Sequence, residues 1–414
     1  SNVDKRIPFT PQTTHNIGSV SKLFTSMGVM QLRDKGDLSL NDPLIEHLPG
    51  FNIGRPHSDG AAITIRGLLT HSTGLPREAD FPYWTGPRYK APTTAQILQA
   101  LPGQQTVFPA ASYYQYSNLG MVLLGEVIQG LSTEQFSGYI EKNVMTPMGL
   151  ESTSFSPTKR QMSGRSIGYS AQGRDGKREQ LPFFPARGIM PAGGVFSTIE
   201  DMAKFMSWQF RALEGKPDGV FKAGTLHEMQ QVAWLDPDEK NPRGLGFDIL
   251  NHTKPRIVGH FGQVPGLQTA VFIEPRSKLG VVLILNASGV EARQTLPQIF
   301  SLVVPALAQI ADDPEPDCNC GANESFEKFL GQYSMHPWWG ELTAIPWEDG
   351  IALVQLPSPN PVLGMMILEH DEGNRFRRQR SDHSLAETFT FDTDEQGRVT
   401  QLRHHNHMFK RIGN

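Results

Sequence analysis

A stretch of prolines, acidic residues and small polar residues divides the sequence at positions 311 to 325. It reads ADDPEPDCNCGANES and interrupts the periodic apolar patterns on either side. A chain of 414 residues is longer than one compact core usually supports, so a boundary of this kind is expected. The sequence therefore predicts residues 1–312 as one domain, 313–325 as a linker and 326–414 as a smaller second domain.

The first domain combines helices with an antiparallel hairpin. Helical apolar stretches cover residues 20–35, 94–101, 117–131, 134–145 and 198–213. Thr93 is a helix-start signal, and the spacing from Ser132 to Gln135 is typical of a capping box. LQTAVFIEP (267–275) and LGVVLILNA (279–287) are rich in β-branched residues and joined by a short turn, which predicts the hairpin. The fold class is therefore α+β.

Short apolar segments follow residue 325, separated by turn residues at spacings typical of a small β-barrel. We predict an all-β accessory domain there. Its aromatic run from His336 to Trp339 is a candidate lid over a cleft, but small β domains need such residues as core. The core interpretation is favoured.

Charge and hydropathy exclude several classes of partner. The formal net charge is −4, which gives no field strong enough to gather nucleic acid. No run of about 18 apolar residues is available to span a bilayer. The first residues, SNVDKRIPFTPQ, lack the charged start and apolar stretch of a signal peptide. The compartment is left open.

The cysteines and a histidine tract are the candidate metal ligands. Cys318 and Cys320 are separated by one residue, which is a poor geometry for a disulfide, and free thiols in a linker are favoured over ligands. In the tract His404-His405-Asn406-His407, a single strand would place only His405 and His407 on one face. We therefore predict no metal site.

The pattern Ser-x-x-Lys occurs three times, beginning at Ser19, Ser156 and Ser325. Only Ser19 follows a glycine and opens a long apolar helix, where the helix dipole and unpaired N–H groups favour developing negative charge. Lys22 lies one turn further on the same face. A lysine desolvated beside a hydroxyl can accept its proton, so Ser19 is the candidate nucleophile. The other two copies are interpreted as capping serines with surface lysines.

Two further tripeptides carry candidate site residues. Tyr116-Ser117-Asn118 immediately precedes another apolar helix, and a tyrosine near a lysine can act as base and then as acid. The Asn118 amide can orient the lysine and a substrate carbonyl. His260-Phe261-Gly262 lies where an edge strand should begin, and such a strand can offer a backbone N–H to an oxyanion.

In this order and spacing, the three motifs resemble the active site of serine β-lactamases and penicillin-binding proteins, with His-x-Gly in place of Lys-Thr-Gly. The phrases LSLNDPLIEHLP (38–49), ITIRGLLTHSTGLP (63–76) and PAGGVFSTIEDMAKF (191–205) are similar to the β-lactamase-related group. That group contains family VIII esterases, D-aminopeptidases and alkaline D-peptidases. The resemblance covers about residues 7–310.

The resemblance implies a role for each motif residue. Ser19 would be the nucleophile, with Lys22 and Tyr116 as the joint base and acid. The backbone N–H groups of Ser19 and Gln263 would form the oxyanion hole. The substrate-binding residues would be Asn118, Gly262 and Gln263, and His260 would bind substrate or tune Tyr116.

The resemblance also implies an antiparallel sheet that faces a helical subdomain, with the site between them. No metal or organic cofactor would be needed. The C-terminal domain resembles the lipocalin-like appendages of some relatives, which cover the cleft or join subunits into a homo-oligomer.

The sequence departs from the family pattern in two places. Members usually carry some tens of residues before the nucleophile, whereas 18 precede Ser19, so part of the family's sheet is expected to lie outside this sequence or to be replaced. His260 removes a fixed positive charge from the subsite that holds carboxylate-bearing β-lactams. The expected substrates are therefore esters, or amides and peptides without an essential carboxylate, including D-amino-acid derivatives.

Two other functions are compatible with the motifs. An acyltransferase would use the same acyl-enzyme and pass the acyl group to an alcohol or amine. A sensor or scaffold would use only the fold, but it would have no need of Ser19, Lys22 and Tyr116 together.

Overall fold

A computed structural model describes residues 1–413 except 58–59, 217–218, 223, 252–255, 291, 312–323, 337–339, 348–349, 357, 359–363, 381–383 and 406. The chain forms two compact units, Ser1–Ile310 and Ala311–Asn414. Most of the predicted linker, with Cys318 and Cys320, lies outside the described residues, as does the centre of the predicted aromatic run, 337–339.

Helices are the commonest regular structure described in the first unit. They are α1 (Ser21–Lys35), α2 (Leu44–His47), α3 (Ile65–Thr70), α4 (Thr94–Ala100), α5 (Asn118–Ser132), α6 (Phe136–Ile140), α7 (Lys159–Ser163), α8 (Met190–Gly193), α9 (Ile199–Leu213), α10 (Thr225–Met229) and α11 (Ala292–Ala311). Helix α1 is buried on nearly all sides and ends at Gly36, whose φ of 88° suits a glycine C-cap. Among helices within the described residues, none is long and apolar enough to cross a membrane.

The two helix-start signals have different outcomes. Thr93 forms the capping box with Gln96 at the start of α4. The box from Ser132 to Gln135 was wrong, because Ser132 is the last residue of α5 and its hydroxyl accepts from the Glu134 N–H at 3.2 Å. Helix α6 begins after Gln135 without a side-chain cap and continues as a π-helix over Glu141–Met145.

Six strands form two sheets in the first unit. They are β1 (His15–Asn16), β2 (Phe196–Ser197), β3 (Asp248–Asn251), β4 (Ile257–Val264), β5 (Leu267–Glu274) and β6 (Leu279–Leu285). Strands β1 and β2 form an antiparallel pair, and β3-β4-β5-β6 is an antiparallel sheet in that order. The predicted hairpin is β5 and β6, so helices with an antiparallel sheet confirm the α+β class.

The second unit is a closed antiparallel barrel, which confirms the all-β prediction. Its strands are β7 (Gly331–Ser334), β8 (Glu341–Trp347), β9 (Gly350–Leu356), β10 (Met366–Glu372), β11 (Arg375–Gln379), β12 (Leu385–Thr393), β13 (Val399–His404) and β14 (His407–Gly413). Buried aromatic side chains fill its interior, among them Phe329, Tyr333, Phe376 and Phe391. An interior packed in this way is a core.

The histidine tract was expected to lie on a single strand, but it spans the end of one strand, a turn and the start of the next. His404 ends β13, His405 lies in the turn with a φ of 53°, and His407 begins β14 opposite His404. The turn forms because the chain must reverse between neighbouring antiparallel strands. Within the described part of the chain, no three His, Cys, Asp or Glu side chains are grouped to hold a metal ion.

Candidate active site

Ser19 lies in a tight 3-10 turn, Gly18–Val20, that leads directly into α1. Strand β1 delivers the chain to this turn, and the Asn16 Oδ1 accepts from the Gly18 N–H at 2.8 Å. Gly18 has a φ of 54°, and a Cβ at this residue would lie 2.6 Å from the Gln263 backbone nitrogen. The turn therefore requires glycine for both its conformation and its close approach to β4.

Lys22 is fully buried and its Nζ donates to Ser19 Oγ at 3.0 Å. A second hydrogen bond runs from Nζ to the Ala192 carbonyl oxygen at 2.7 Å. Burial lowers the pKa of Lys22 well below its usual range, although the charge of Glu78 opposes the shift. The lysine is thus placed and tuned to exchange a proton with Ser19.

Tyr116 lies close to both Lys22 and Ser19. Lys22 Nζ is 4.9 Å from the centre of its ring, and the Arg77 guanidinium carbon is 4.8 Å from the same ring. Burial raises the pKa of the phenol above its usual range, and a hydrogen bond with Ser19 opposes the rise. The structure therefore brings Ser19, Lys22 and Tyr116 together, as the first two motifs predict.

The third motif lies on β4, which runs alongside the turn of the nucleophile. A Cβ on Gly262 would lie 1.9 Å from the Ile17 carbonyl oxygen and 3.2 Å from the Ser19 nitrogen. Only a residue without a side chain lets the strand approach this closely. The glycine of the motif is thus explained by the contact between β4 and the turn that holds Ser19.

The register of β4 directs the Gln263 N–H away from the sheet. Val264 pairs with Leu267 across a two-residue turn, and Gln263 pairs with Gln268. Because hydrogen-bonded and non-hydrogen-bonded pairs alternate, the Gln263 N–H points away from β5. The Phe261 N–H, two residues earlier and on the same edge, donates to the Asp248 carboxylate. Strand β3 pairs with β4 only as far as Gly259, so it does not use the Gln263 N–H.

His260 is buried, with an exposed fraction of 2%. Its Nδ1 lies 2.5 Å from the Phe261 carbonyl oxygen, and its Nε2 lies 4.0 Å from Asp248 Oδ1. Burial lowers the pKa of His260 to about 4, against the raising effect of Asp248. The imidazole is therefore neutral at any pH near 7, and Asp248 itself is paired with Arg243.

Asn118 begins α5 and is buried beside the motif residues. Its Nδ2 donates to Glu78 Oε1 at 2.6 Å, and its Oδ1 is buried without a hydrogen-bond partner among the described residues. The amide oxygen and the second N–H of Nδ2 are thus the groups through which Asn118 could bind a substrate. The expected contact with a substrate carbonyl stays a prediction.

The other two Ser-x-x-Lys copies are not assembled in this way. Ser156 and Lys159 are both exposed. Lys328 is exposed and donates to Asn374 Oδ1 at 3.1 Å, and the side chain of Ser325 lies outside the described residues.

Sequence reasoning missed two residues of the site, Glu78 and His71. Glu78 accepts from the Tyr83 hydroxyl at 2.6 Å as well as from Asn118, and its side chain is 17% exposed. The His71 ring centre lies 4.6 Å from that of Tyr116. Both residues lie in or beside the phrase ITIRGLLTHSTGLP, which was the available signal, but no spacing rule connects them to Ser19.

Comparison with known proteins places this geometry in context. A family model described as Beta-lactamase matches residues 1–303. Protein flp from Staphylococcus aureus (strain N315) is 23% identical over 284 residues, which are 69% of this chain and 55% of that protein. The chain spans about half the length of the curated relatives it matches.

Two solved structures resemble this chain. The octameric penicillin-binding protein homologue from Pyrococcus abyssi has a TM-score of 0.62 and 24% identity, over 99% of this chain and 90% of that chain. The D-amino acid amidase from Ochrobactrum anthropi SV3 has a TM-score of 0.61 and 20% identity, over 75% of this chain and 89% of that one. At these identities the likeness concerns the fold.

Proposed function

Since the chain belongs to the Beta-lactamase family, we propose that it is a serine hydrolase that forms an acyl-enzyme on Ser19. The observation that carries the proposal is the 3.0 Å hydrogen bond between Lys22 Nζ and Ser19 Oγ in a buried setting. Because burial lowers the pKa of Lys22, its neutral form, which can accept the serine proton, is more populated than in a free lysine.

Acylation begins when Ser19 Oγ attacks the substrate carbonyl carbon. Its proton passes to the pair formed by Lys22 and Tyr116, and the carbonyl oxygen becomes an oxyanion. We propose that the N–H groups of Ser19 and Gln263 stabilise this charge, because the turn of Ser19 lies against β4 and the Gln263 N–H points away from β5. The bond to the alcohol or amine then breaks, and the pair returns the proton to the leaving group.

Deacylation repeats these steps with water. The neutral pair takes a proton from the water molecule, whose oxygen attacks the acyl carbon, and Ser19 leaves with that proton restored. An acyltransferase would differ only in that an alcohol or amine replaces water. The chain's own residues perform every proton transfer, so no cofactor is assigned.

Charge in the cleft favours substrates without an essential carboxylate. His260 is neutral near pH 7, so the third motif supplies no cation. Glu78 places a carboxylate within 2.6 Å of the Asn118 amide, which favours a substrate amine over a substrate carboxylate. We therefore propose esters and amides as substrates, with derivatives of amino acids foremost. The likeness to a D-amino acid amidase supports this choice.

The test is intact mass after exposure to activated aryl esters and D-amino-acid amides. We expect a covalent adduct of one acyl group, mapped to Ser19, and its loss in Ser19→Ala. Ser156→Ala is the matched control, because it removes the exposed copy of the motif. An adduct on another serine, or none on folded wild-type protein, would contradict the proposal and would favour a sensor or scaffold.

The barrel is proposed as a lipocalin-like accessory domain without an interior ligand, since aromatic side chains fill its interior. We also propose that the protein assembles as a homo-oligomer, which the octameric relative supports. Light scattering on the purified chain would measure its mass, and a monomer at every concentration would contradict this proposal.

A further inference from the structure

His71 lies at the end of α3, where its backbone adopts the left-handed conformation. It is the C-cap residue, with a φ of 57° and a ψ of 36°, and its side chain is buried. Histidine and asparagine adopt this conformation more often than most residues that carry a Cβ, and glycine adopts it without strain. A substitution at this position must therefore suit the backbone conformation as well as the contacts of the ring.

Two hydrogen bonds tie His71 to the residues on either side of Tyr116. Its carbonyl oxygen accepts from the Gln115 N–H at 2.8 Å. Its ring Nδ1 accepts from the Ser117 N–H at 3.2 Å. Tyr116 lies in an irregular stretch that precedes α5, where no ladder of helix or strand hydrogen bonds fixes the backbone. His71 is thus a principal restraint on this stretch.

The ring also contacts Tyr116 directly. The two ring centres are 4.6 Å apart, with the planes inclined at 43°. Lys22 Nζ lies 4.9 Å from the Tyr116 ring centre. Tyr116 is therefore packed between the His71 ring and the catalytic lysine, and a shift of His71 would move the phenol relative to Ser19.

The hydrogen bond requires a neutral imidazole, because a ring nitrogen that accepts from an N–H cannot carry a proton. The environment supports this form: burial lowers the pKa of His71 well below its usual range, and the charge of Lys22 lowers it further. Positive charge on Arg243, His260 or Arg77 also lowers the pKa of His71.

We propose that His71 is a positioning residue that holds Tyr116 in place for proton transfer through the Nδ1 bond to Ser117. This inference rests on the proposed function. It predicts that removing the acceptor slows the chemistry at Ser19, whereas a side chain that keeps an acceptor at the same place restores it.

The pair His71→Asn and His71→Gly separates the acceptor from the cap. Both residues tolerate the left-handed conformation, but only asparagine keeps an acceptor, since its Oδ1 takes the place of Nδ1. The readout is the rate at which an alkyl fluorophosphonate labels Ser19, in which the Oγ–P bond forms, fluoride leaves and the proton passes to Lys22 and Tyr116. We expect His71→Gly to slow labelling about tenfold or more and His71→Asn to stay within about threefold of wild type.

Two comparisons separate positioning from general destabilisation. In a Tyr116→Phe background, His71→Gly should slow labelling little further, because the residue it positions is already disabled. Thr133→Gly is the matched control, since Thr133 caps α5 in the same conformation, with a φ of 58°, at the far end of that helix. It should leave the labelling rate unchanged.

Failure of the role of His71 and failure of the proposed function would give different labelling results. Equal labelling rates in wild type and His71→Gly, equal slowing in both His71 variants, or a full additional loss in the Tyr116→Phe background would overturn the role of His71 alone. No labelling of folded wild-type protein would overturn the proposed function and this inference with it. If His71→Gly does not fold, His71→Ala removes the acceptor with the smallest side chain and is compared with His71→Asn under conditions in which both variants are folded.

Discussion

At the scale of single residues, the site depends on desolvation more than on ion pairing. Lys22 is fully buried, yet the charge of Glu78 acts on it only as a partial opponent of the burial that lowers its pKa. Tyr116 is shifted in the opposite direction by the same cause, because burial penalises whichever form is charged. Burial thus favours the neutral form of each group, in which the amine can accept a proton and the phenol can donate one.

We propose that Lys22 and Tyr116 act as one proton relay, and this predicts how the enzyme responds when either residue is substituted. We expect Lys22→Ala and Tyr116→Phe each to lower kcat by about a hundredfold or more, and the double variant to be little worse than either single variant. When two groups act as one proton relay, the loss of either group disables the relay, and the loss of the second adds little. Steady-state kinetics on an aryl ester would measure the three variants, and losses that multiply would show that the residues work independently.

The sequence was sufficient for the three motifs but not for the residues that support them. Ser19 and Lys22 are three positions apart, so helix geometry alone relates them. Glu78 and His71 reach the site through contacts with Asn118 and Tyr116 that span 40 to 46 positions of the chain. No local pattern encodes such contacts, because they depend on how α3 and α5 pack.

At the scale of elements, the proposed oxyanion hole depends on the position of β4 against the turn before α1. We expect Gly262→Ala to disrupt this contact, since the added Cβ would lie 1.9 Å from the Ile17 carbonyl oxygen. This oxygen belongs to the backbone and cannot move aside as a flexible side chain could. A shift of about 1 Å in one N–H of the hole should lower kcat about a hundredfold.

Gly130→Ala is the control for this variant. Gly130 lies within α5, and a Cβ there would meet no atom within 4 Å. Its substitution should raise stability slightly and leave kcat unchanged, because alanine is the better helix former. Kinetics and thermal unfolding of both variants would provide the measurement. Full activity of Gly262→Ala would mean that β4 can retreat without cost and that the hole lies elsewhere.

Helices and strands could be predicted from the sequence wherever residues close together in the chain determine them. The hairpin of β5 and β6 and the capping box at Thr93 needed only short-range chemistry. The spacing from Ser132 to Gln135 gave a wrong prediction, because Ser132 is the last residue of α5 and therefore does not cap α6. Two adjacent helices compete for the same residues there, and a rule for one terminus cannot settle that competition.

At the scale of the whole molecule, the first unit buries three histidines in their neutral form. Burial lowers the pKa of His15 to about 3 and that of His260 to about 4, and it lowers the pKa of His71 well below its usual range. In the unfolded chain each would titrate near 6.5. Between about pH 6.5 and pH 4 the unfolded state therefore binds protons that the folded state does not.

This difference predicts that the histidines make the first unit less stable as the pH falls below about 6.5, and that they contribute little pH dependence above it. Each histidine that stays neutral in the folded protein contributes a limiting slope of about 1.4 kcal/mol per pH unit, so His15 and His260 together approach about 3 kcal/mol per unit near pH 5, and His71 acts in the same direction. Urea unfolding of the full chain at several pH values between 5 and 8 would measure the slope. His15→Asn should remove about a third of it, because asparagine keeps an acceptor for Ser166 Oγ, which lies 2.7 Å from His15 Nδ1, but does not titrate. A free energy of unfolding that stays flat from pH 7 to pH 5, or an equal slope in His15→Asn, would mean that these imidazoles gain water or charge in the folded protein.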